Sequence, residues 1–283
     1  MRDYIELTKP RITWLILMST GVGFYFGLEG SLSWWVLLHT VAGTALIASG
    51  TAALNQWYER EADAKMLRTR ERPIPSGRVG ARQALAFGIL LSILGFVQLA
   101  AGANVLAGVL GAFTLGSYLF LYTPLKQRSR HSTTVGAIPG AMPPLIGYAA
   151  AHGSLTSEAW VLYAILFIWQ FPHFYAIAWM YREDYARAGI RMLPVVEPDG
   201  ESTARQILIY LVLLLPISLL PKWLSMAGNW YVLGALALGA MFLYSGIRVA
   251  GDRSILQARK VLLASVYYLP ILYGLMLLDR PGL

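Results

Sequence analysis

Cysteine is absent from all 283 positions, which excludes disulfides, thiolate metal sites and cysteine nucleophiles. Charge is scarce: Asp, Glu, Lys and Arg together make up 13% of the chain, and the acids number only 15. The phosphate-binding loop Gly-x-x-x-x-Gly-Lys-Ser/Thr is missing, as are His-Glu-x-x-His, the Gly-x-Ser-x-Gly elbow and the Cys-x-x-Cys-His haem attachment. No RNA- or DNA-binding motif occurs, so no nucleic-acid partner is expected. The start, MRDYIELTKPRITW, lacks a small-residue cleavage site and an Arg/Ser-rich transit pattern, so the first helix is expected to stay in the mature protein.

What is present is apolar surface. Hydrophobic residues reach 57% and aromatics 12%, more than a soluble chain of this length could cover. Nine runs are long enough to span a bilayer, at about 12–28, 32–56, 83–101, 104–123, 133–151, 158–181, 206–221, 229–248 and 260–278. The fifth, TTVGAIPGAMPPLIGYAAAHG, is rich in Gly and Pro and is expected to be broken where it faces protein or a wet cavity. The seventh is short and ends at Pro221.

The basic residues order these spans. Twenty-one of the 23 Lys and Arg fall at the N-terminus and after the second, fourth, sixth and eighth runs. Only Lys222 and Arg280 fall on the other side. That alternation predicts nine helices with a cytoplasmic N-terminus and an outside C-terminus. The net charge of +8 therefore reports orientation. The expected fold is an all-α membrane protein, a single domain over residues 1–283, with nine transmembrane helices around a central cavity. GTAALNQWYEREAD and FYAIAWMYREDYARAG, four helices apart, hint at a weak four-helix pseudo-repeat, about 1–130 and 131–255.

The one densely charged stretch is NQWYEREADAKMLRTRER, Asn55 to Arg72. If the preceding helix continues through it, Asn55, Glu59 and Asp63 form one stripe roughly 12 Å long. Lys65, Arg68, Arg70 and Arg72 follow. Hard oxygen donors beside guanidinium groups suit a polyphosphate carried on Mg²⁺. The same residues also suit a solvated loop whose cations set topology. Asp184, with Glu183, is the natural opposing carboxylate on the other long polar loop, although it could equally pair with Arg182 or Arg187. Lys126, among Arg128 and Arg130, could meet a phosphate oxygen as a point charge. Lys9 and Arg11 flank Pro10 at the mouth of the first helix and carry the same ambiguity. His173, in WQFPHFYAIAW, reads as an axial haem ligand, a polar contact in the cavity or an interhelical hydrogen bond, with Gln170 one turn away.

Asn55-x-x-x-Glu59-x-x-x-Asp63 resembles the first aspartate-rich motif of the intramembrane prenyltransferase superfamily. The longer string NQWYEREADAKMLRTRERPIPSG, with TKPRI, YTPLK, WQFPHF and DYARAGIRMLPV, is similar to its haem-farnesylating branch. The resemblance implies transfer of a farnesyl group from farnesyl diphosphate to a vinyl group of haem B, with addition of water. It implies Mg²⁺ held by Asn55, Glu59, Asp63 and Asp184, and phosphate contacts from Lys126, Arg68, Arg72 and Arg11, with His173 as a candidate haem contact. It further implies a multi-pass protein of the cell (inner) membrane, an active site on the cytoplasmic side, and a downstream haem A synthase as partner. One departure is Ala188, where many superfamily members carry another acid. A sibling prenyltransferase with an aromatic acceptor, or a haem carrier without turnover, remains open on the sequence alone.

Overall fold

The computed structural model describes residues 1–281, and every regular element among them is helical. A short α1 (Arg2–Leu7) precedes α2 (Pro10–Phe26), α3 (Trp34–Tyr58) and a second short helix, α4 (Arg60–Lys65). Then come α5 (Ala81–Gly102) and α6 (Val105–Gly116), which runs through a π-turn (Ser117–Tyr122) into α7 (Thr123–Leu125). α8 (Ser132–Gly140) and α9 (Pro143–His152) divide the Gly- and Pro-rich run, which breaks between them as expected. The rest comprises α10 (Ser157–Met180), α11 (Arg182–Arg187), α12 (Leu193–Val196), α13 (Glu201–Ile217), α14 (Leu220–Trp223), α15 (Asn229–Gly251) and α16 (Ile255–Leu278).

Seven helical stretches among the described residues are long and apolar enough to cross a membrane, and the chain is a multi-pass membrane protein. The bundle is centred on α10, the most buried of them, which packs against α8, α9, α13 and α16. Helix starts follow local chemistry. Ser33 accepts from the Val36 N–H, Asn104 from Ala107 and Ser254 from Gln257, each satisfying an amide that the first turn leaves free. Asn104 also donates to the Ala149 carbonyl at 2.7 Å, tying the α5–α6 turn to α9.

In hydrocarbon no hydrophobic effect drives helices together, so close backbone approach must supply the attraction. α3 and α5 meet along Gly43, Gly50, Gly88 and Gly95. A Cβ on Gly95 would lie 2.7 Å from the Ile47 backbone nitrogen. Gly95→Leu is therefore expected to destabilise the protein by about 1–3 kcal/mol. Thermal unfolding in detergent measures this, and an unchanged midpoint would show that the α3–α5 contact is not tight.

Contacts also sort the charged residues by end of the bundle. Lys9, Arg72, Lys126 and Arg253 are tied to one another's neighbourhoods at the α3 and α10 C-terminal end. Arg280 donates to the Tyr25 carbonyl at the far end of α2.

Candidate active site

α3 ends at Tyr58, inside the charged stretch, and α4 begins at Arg60, with Glu59 between them at ψ 6°. The Glu59 N–H donates to Asn55 O (2.9 Å) and the Asp63 N–H to Glu59 O (2.8 Å), so Glu59 links the last turn of α3 to the first turn of α4. Asn55, Glu59 and Asp63 therefore stack at four-residue intervals, and all three are buried. The interval of four brings them together as the sequence suggests.

Each polar group meets a cation or a donor. Lys126 Nζ donates to Glu59 Oε1 at 2.9 Å and lies 4.6 Å from the Tyr122 ring centroid. Burial pushes the Glu59 carboxyl up, but Lys126, with Lys9 and Asn55, outweighs it and holds the group below its ordinary value. Burial likewise pulls Lys126 down, and Glu59 reverses this, so the ammonium stays well above its usual range. Arg72 Nη1 donates to Asp63 Oδ2 at 2.7 Å. Asp63 is fully buried, yet its Oδ1 has no hydrogen-bond partner among the described residues. Such an acceptor is costly to bury unpaired, and a cation or a hydrogen-bond donor would satisfy it.

The residues left Lys9 and Arg11 equal and the resemblance implied Arg11 as a phosphate contact; in the structure Lys9 is the one bonded into the cluster. Lys9 precedes the Pro10 that opens α2 and sits at φ +49°, in the left-handed region. From there Nζ donates to Asn55 Oδ1 at 3.4 Å. Burial, then the nearby Arg72, lowers its pKa to about 7 against the pull of Glu59 and Asp63. Arg11, two residues on, is exposed. The second group that sequence reasoning passed over is the π-turn. Its extra residue per turn sets Tyr118 and Tyr122 edge to face at 4.9 Å beside Lys126, and Thr123 Oγ1 accepts from Asn55 Nδ2.

α11 brings the second acidic segment against the first. The Asp184 carboxylate accepts from the backbone N–H groups of Leu67 (3.1 Å) and Arg68 (3.4 Å), just beyond α4, and pairs with Arg187. Burial opposes its ionisation, but Arg187 and the two amides hold it below its ordinary value. Arg68 stacks its guanidinium 4.2 Å from the Tyr181 ring centroid and donates to the Tyr185 hydroxyl at 3.2 Å. The Arg191 N–H donates to Lys126 O at 2.8 Å, so both loops and the α7 segment are bonded together. The two acidic segments thus adjoin, but their carboxylates are engaged by different arginines. Among the described residues no three Asp, Glu or His side chains close around one point. The donor set itself, all oxygen and with one carboxylate atom unpartnered, fits a hard divalent cation.

His173 lies elsewhere. Its Nδ1 is 2.8 Å from Ser265 Oγ on α16, and its ring stacks on Trp169. That is the interhelical hydrogen bond among the readings open to it, and His173 does not line the cavity beside the charged cluster.

That cavity, of about 140 Å³, starts at Lys9 and Tyr118 and runs inward between Ile16, Ile47, Pro139 and Ile146. A buried acid–cation cluster at one end of a helical membrane bundle, opening into an apolar cavity, defines a site for an amphiphile with a polyanionic head. The chain belongs to the UbiA prenyltransferase family, which it matches over residues 16–269. Among its relatives are the protoheme IX farnesyltransferases of Solibacter usitatus, 68% identical with all of both chains covered, and of Koribacter versatilis, 48% identical over 99% of this chain and 94% of that one. Its fold is similar to that of a digeranylgeranylglyceryl phosphate synthase (TM-score 0.82, 18% identity, 100% and 99% of the two chains). It is also similar to that of a UbiA homologue from Archaeoglobus fulgidus bound to GPP and Mg²⁺ (TM-score 0.65, 14% identity, 97% and 99%).

Proposed function

We propose that this chain is the transferase that joins a farnesyl group to haem B, converting farnesyl diphosphate, haem B and water to haem O and diphosphate. The single observation that carries the chemistry is the buried cluster of Asn55, Glu59 and Asp63 ringed by Lys9, Lys126 and Arg72 at the mouth of an apolar cavity. The acceptor rests on the full-length likeness to protoheme IX farnesyltransferases.

Breaking the allylic carbon–oxygen bond leaves a carbocation and a highly charged leaving group. Lys9, Lys126, Arg68 and Arg72 are positioned to take up charge as it develops on the phosphate oxygens. Asn55, Glu59, Asp63 and Asp184 would hold Mg²⁺, which when bound supplies further positive charge to those oxygens. The vinyl π electrons of haem attack the allylic carbon, positive charge moves to the carbon next to the porphyrin ring, and water adds there with loss of a proton. The apolar walls of the cavity keep water from the allylic cation until the vinyl carbon reaches it. Tyr118 and Tyr122 offer aromatic faces that stabilise positive charge.

The membrane reading extends the seven apolar helices to nine spans. α2, at 17 residues, and the broken α8–α9 pair supply the other two. The bias of basic residues toward the cluster end supports a cytoplasmic N-terminus and a cytoplasmic-side site in the cell (inner) membrane. The pseudo-repeat is supported by a shared ending: α3 and α10 each break and continue as a six-residue helix, α4 or α11. Haem O leaving such a site suits hand-over to a haem A synthase.

Purified protein given Mg²⁺, farnesyl diphosphate and haem B is expected to form a farnesyl hydroxyethyl adduct, read by chromatography and mass. EDTA is expected to stop turnover and added Mg²⁺ to restore it. Diphosphate release without a haem adduct would point to another acceptor, and no turnover at all would point to a carrier.

A further inference from the structure

α15 and α16 part at the cluster end of the bundle to leave a groove of about 400 Å³, lined by Met241, Tyr244, Arg248, Gln257, Lys260 and Tyr267. Its depth follows from its neighbours. Trp179, at the end of α10, donates its indole N–H to the Arg253 carbonyl in the α15–α16 turn. Arg253 in turn donates to Asp199 O in the polar loop before α13. The groove mouth therefore lies at the polar end of the bundle, beside the α15–α16 turn and the loop before α13, and its walls run from there along the apolar lengths of α15 and α16.

The chemistry of the lining is mixed in a particular way. Arg248 and Lys260 face each other from the two helices, both are exposed, and neither is paired with a carboxylate among the described residues. Deeper, Tyr244, Tyr267 and Met241 remain 63%, 61% and 46% exposed, an apolar and aromatic surface at acyl-chain level. Gln257 supplies the third element. It is only 4% exposed, and its Nε2 donates to Asp252 Oδ2, which fixes the amide orientation because a carboxylate can only accept. Its Oε1 is then left buried with no partner among the described residues. The missing group must be a hydrogen-bond donor.

A phosphodiester between two cations, a donor beside it and acyl chains below describe one class of ligand. We propose that this groove binds an anionic phospholipid with a hydroxyl-bearing headgroup, of the phosphatidylglycerol class. The phosphate meets Arg248 and Lys260, and a headgroup hydroxyl donates to Gln257 Oε1. Phosphatidylcholine has no donor and cancels its own phosphate charge. Phosphatidic acid keeps the charge but lacks the headgroup hydroxyl.

The test is native mass spectrometry of the full-length protein in detergent, with defined lipids added in equal amounts. Phosphatidylglycerol is expected to be retained about tenfold or more over phosphatidylcholine, since each cation near an anionic headgroup contributes appreciably. Arg248→Gln/Lys260→Gln, both exposed positions, is expected to erase that preference. Gln257→Leu is expected to lower phosphatidylglycerol retention severalfold and leave phosphatidic acid unchanged. Equal retention of phosphatidylglycerol and phosphatidylcholine by the unaltered protein would overturn the proposal without any variant. A preference that survives the double substitution would do so too. Glycerol 3-phosphate binding as tightly as the lipid would show a soluble-phosphate site instead.

Discussion

Asp63→Asn is expected to lower the rate of farnesyl transfer by about 10²–10³-fold while the protein stays folded in the membrane. The substitution keeps the shape of the side chain and removes its charge. Asp63 has a carboxylate oxygen that is both buried and unpartnered among the described residues: Oδ2 is taken by Arg72, and Oδ1 meets no donor. An amide there offers a single acceptor and turns two N–H donors toward Arg72 or toward a bound cation, where positive charge repels them. Arg72 is partly exposed, so losing its partner does not strand a buried cation, and the effect falls on rate more than on folding. Haem O formation followed by chromatography, beside thermal unfolding of the same sample, separates the two. Near-normal turnover would remove Asp63 from the site.

Lys126→Gln carries the second large effect, this time on stability and its pH dependence as well as on rate. Lys126 and Glu59 form a buried pair at 2.9 Å, and Lys126 is the main group opposing burial at Glu59. Removing the cation alone leaves a buried carboxylate without its main partner, a loss of up to about 3–5 kcal/mol. The sign of the pH response changes with it. In the unaltered protein the Glu59 carboxyl lies below its ordinary 4.5, so its stabilisation is present above that pH and is lost as pH falls through the lower, folded value. Without Lys126, burial is expected to outweigh Lys9 and Asn55 and to raise the folded value above its ordinary 4.5. The variant then gains stability as pH falls toward 4.5, the reverse of the parent. Glu59→Gln/Lys126→Gln should recover most of the stability, because both buried charges are gone, but not the turnover. A single variant with the parent's pH profile, or a double variant that remains active, would show that the pair is not a charged element of the site.

Particular residues show where the sequence was legible. Apolar runs located the seven long apolar helices, and Gly/Pro content foretold the break between α8 and α9, because length in hydrocarbon and helix-breaking are local properties. The interval of four kept Asn55, Glu59 and Asp63 in one buried cluster although the expected continuous helix ends at Tyr58, because the Glu59 and Asp63 amides still bond four residues back across the joint. Choosing between Lys9 and Arg11 needed more. Both flank Pro10, and only the left-handed turn at Lys9, fixed by how α1 meets α2, sends one of them to Asn55. Tyr118 and Tyr122 were two aromatics among many until the π-turn rotated them beside Lys126. His173, read from its depth in the span as a possible ligand, spends its Nδ1 on Ser265, ninety-two residues away.

The sequence by itself determined a helical membrane protein with most of its acids and most of its cations at one end, since hydropathy and charge bias act over neighbouring residues. Only the tertiary structure decided the partners: Lys9 and Thr123 with Asn55, Lys126 with Glu59, Arg72 with Asp63, and Asp184 on the amides after α4. The reason is physical. An ion pair or an orphaned oxygen depends on which distant segments share a few cubic ångströms out of water, and no spacing along one chain encodes that directly.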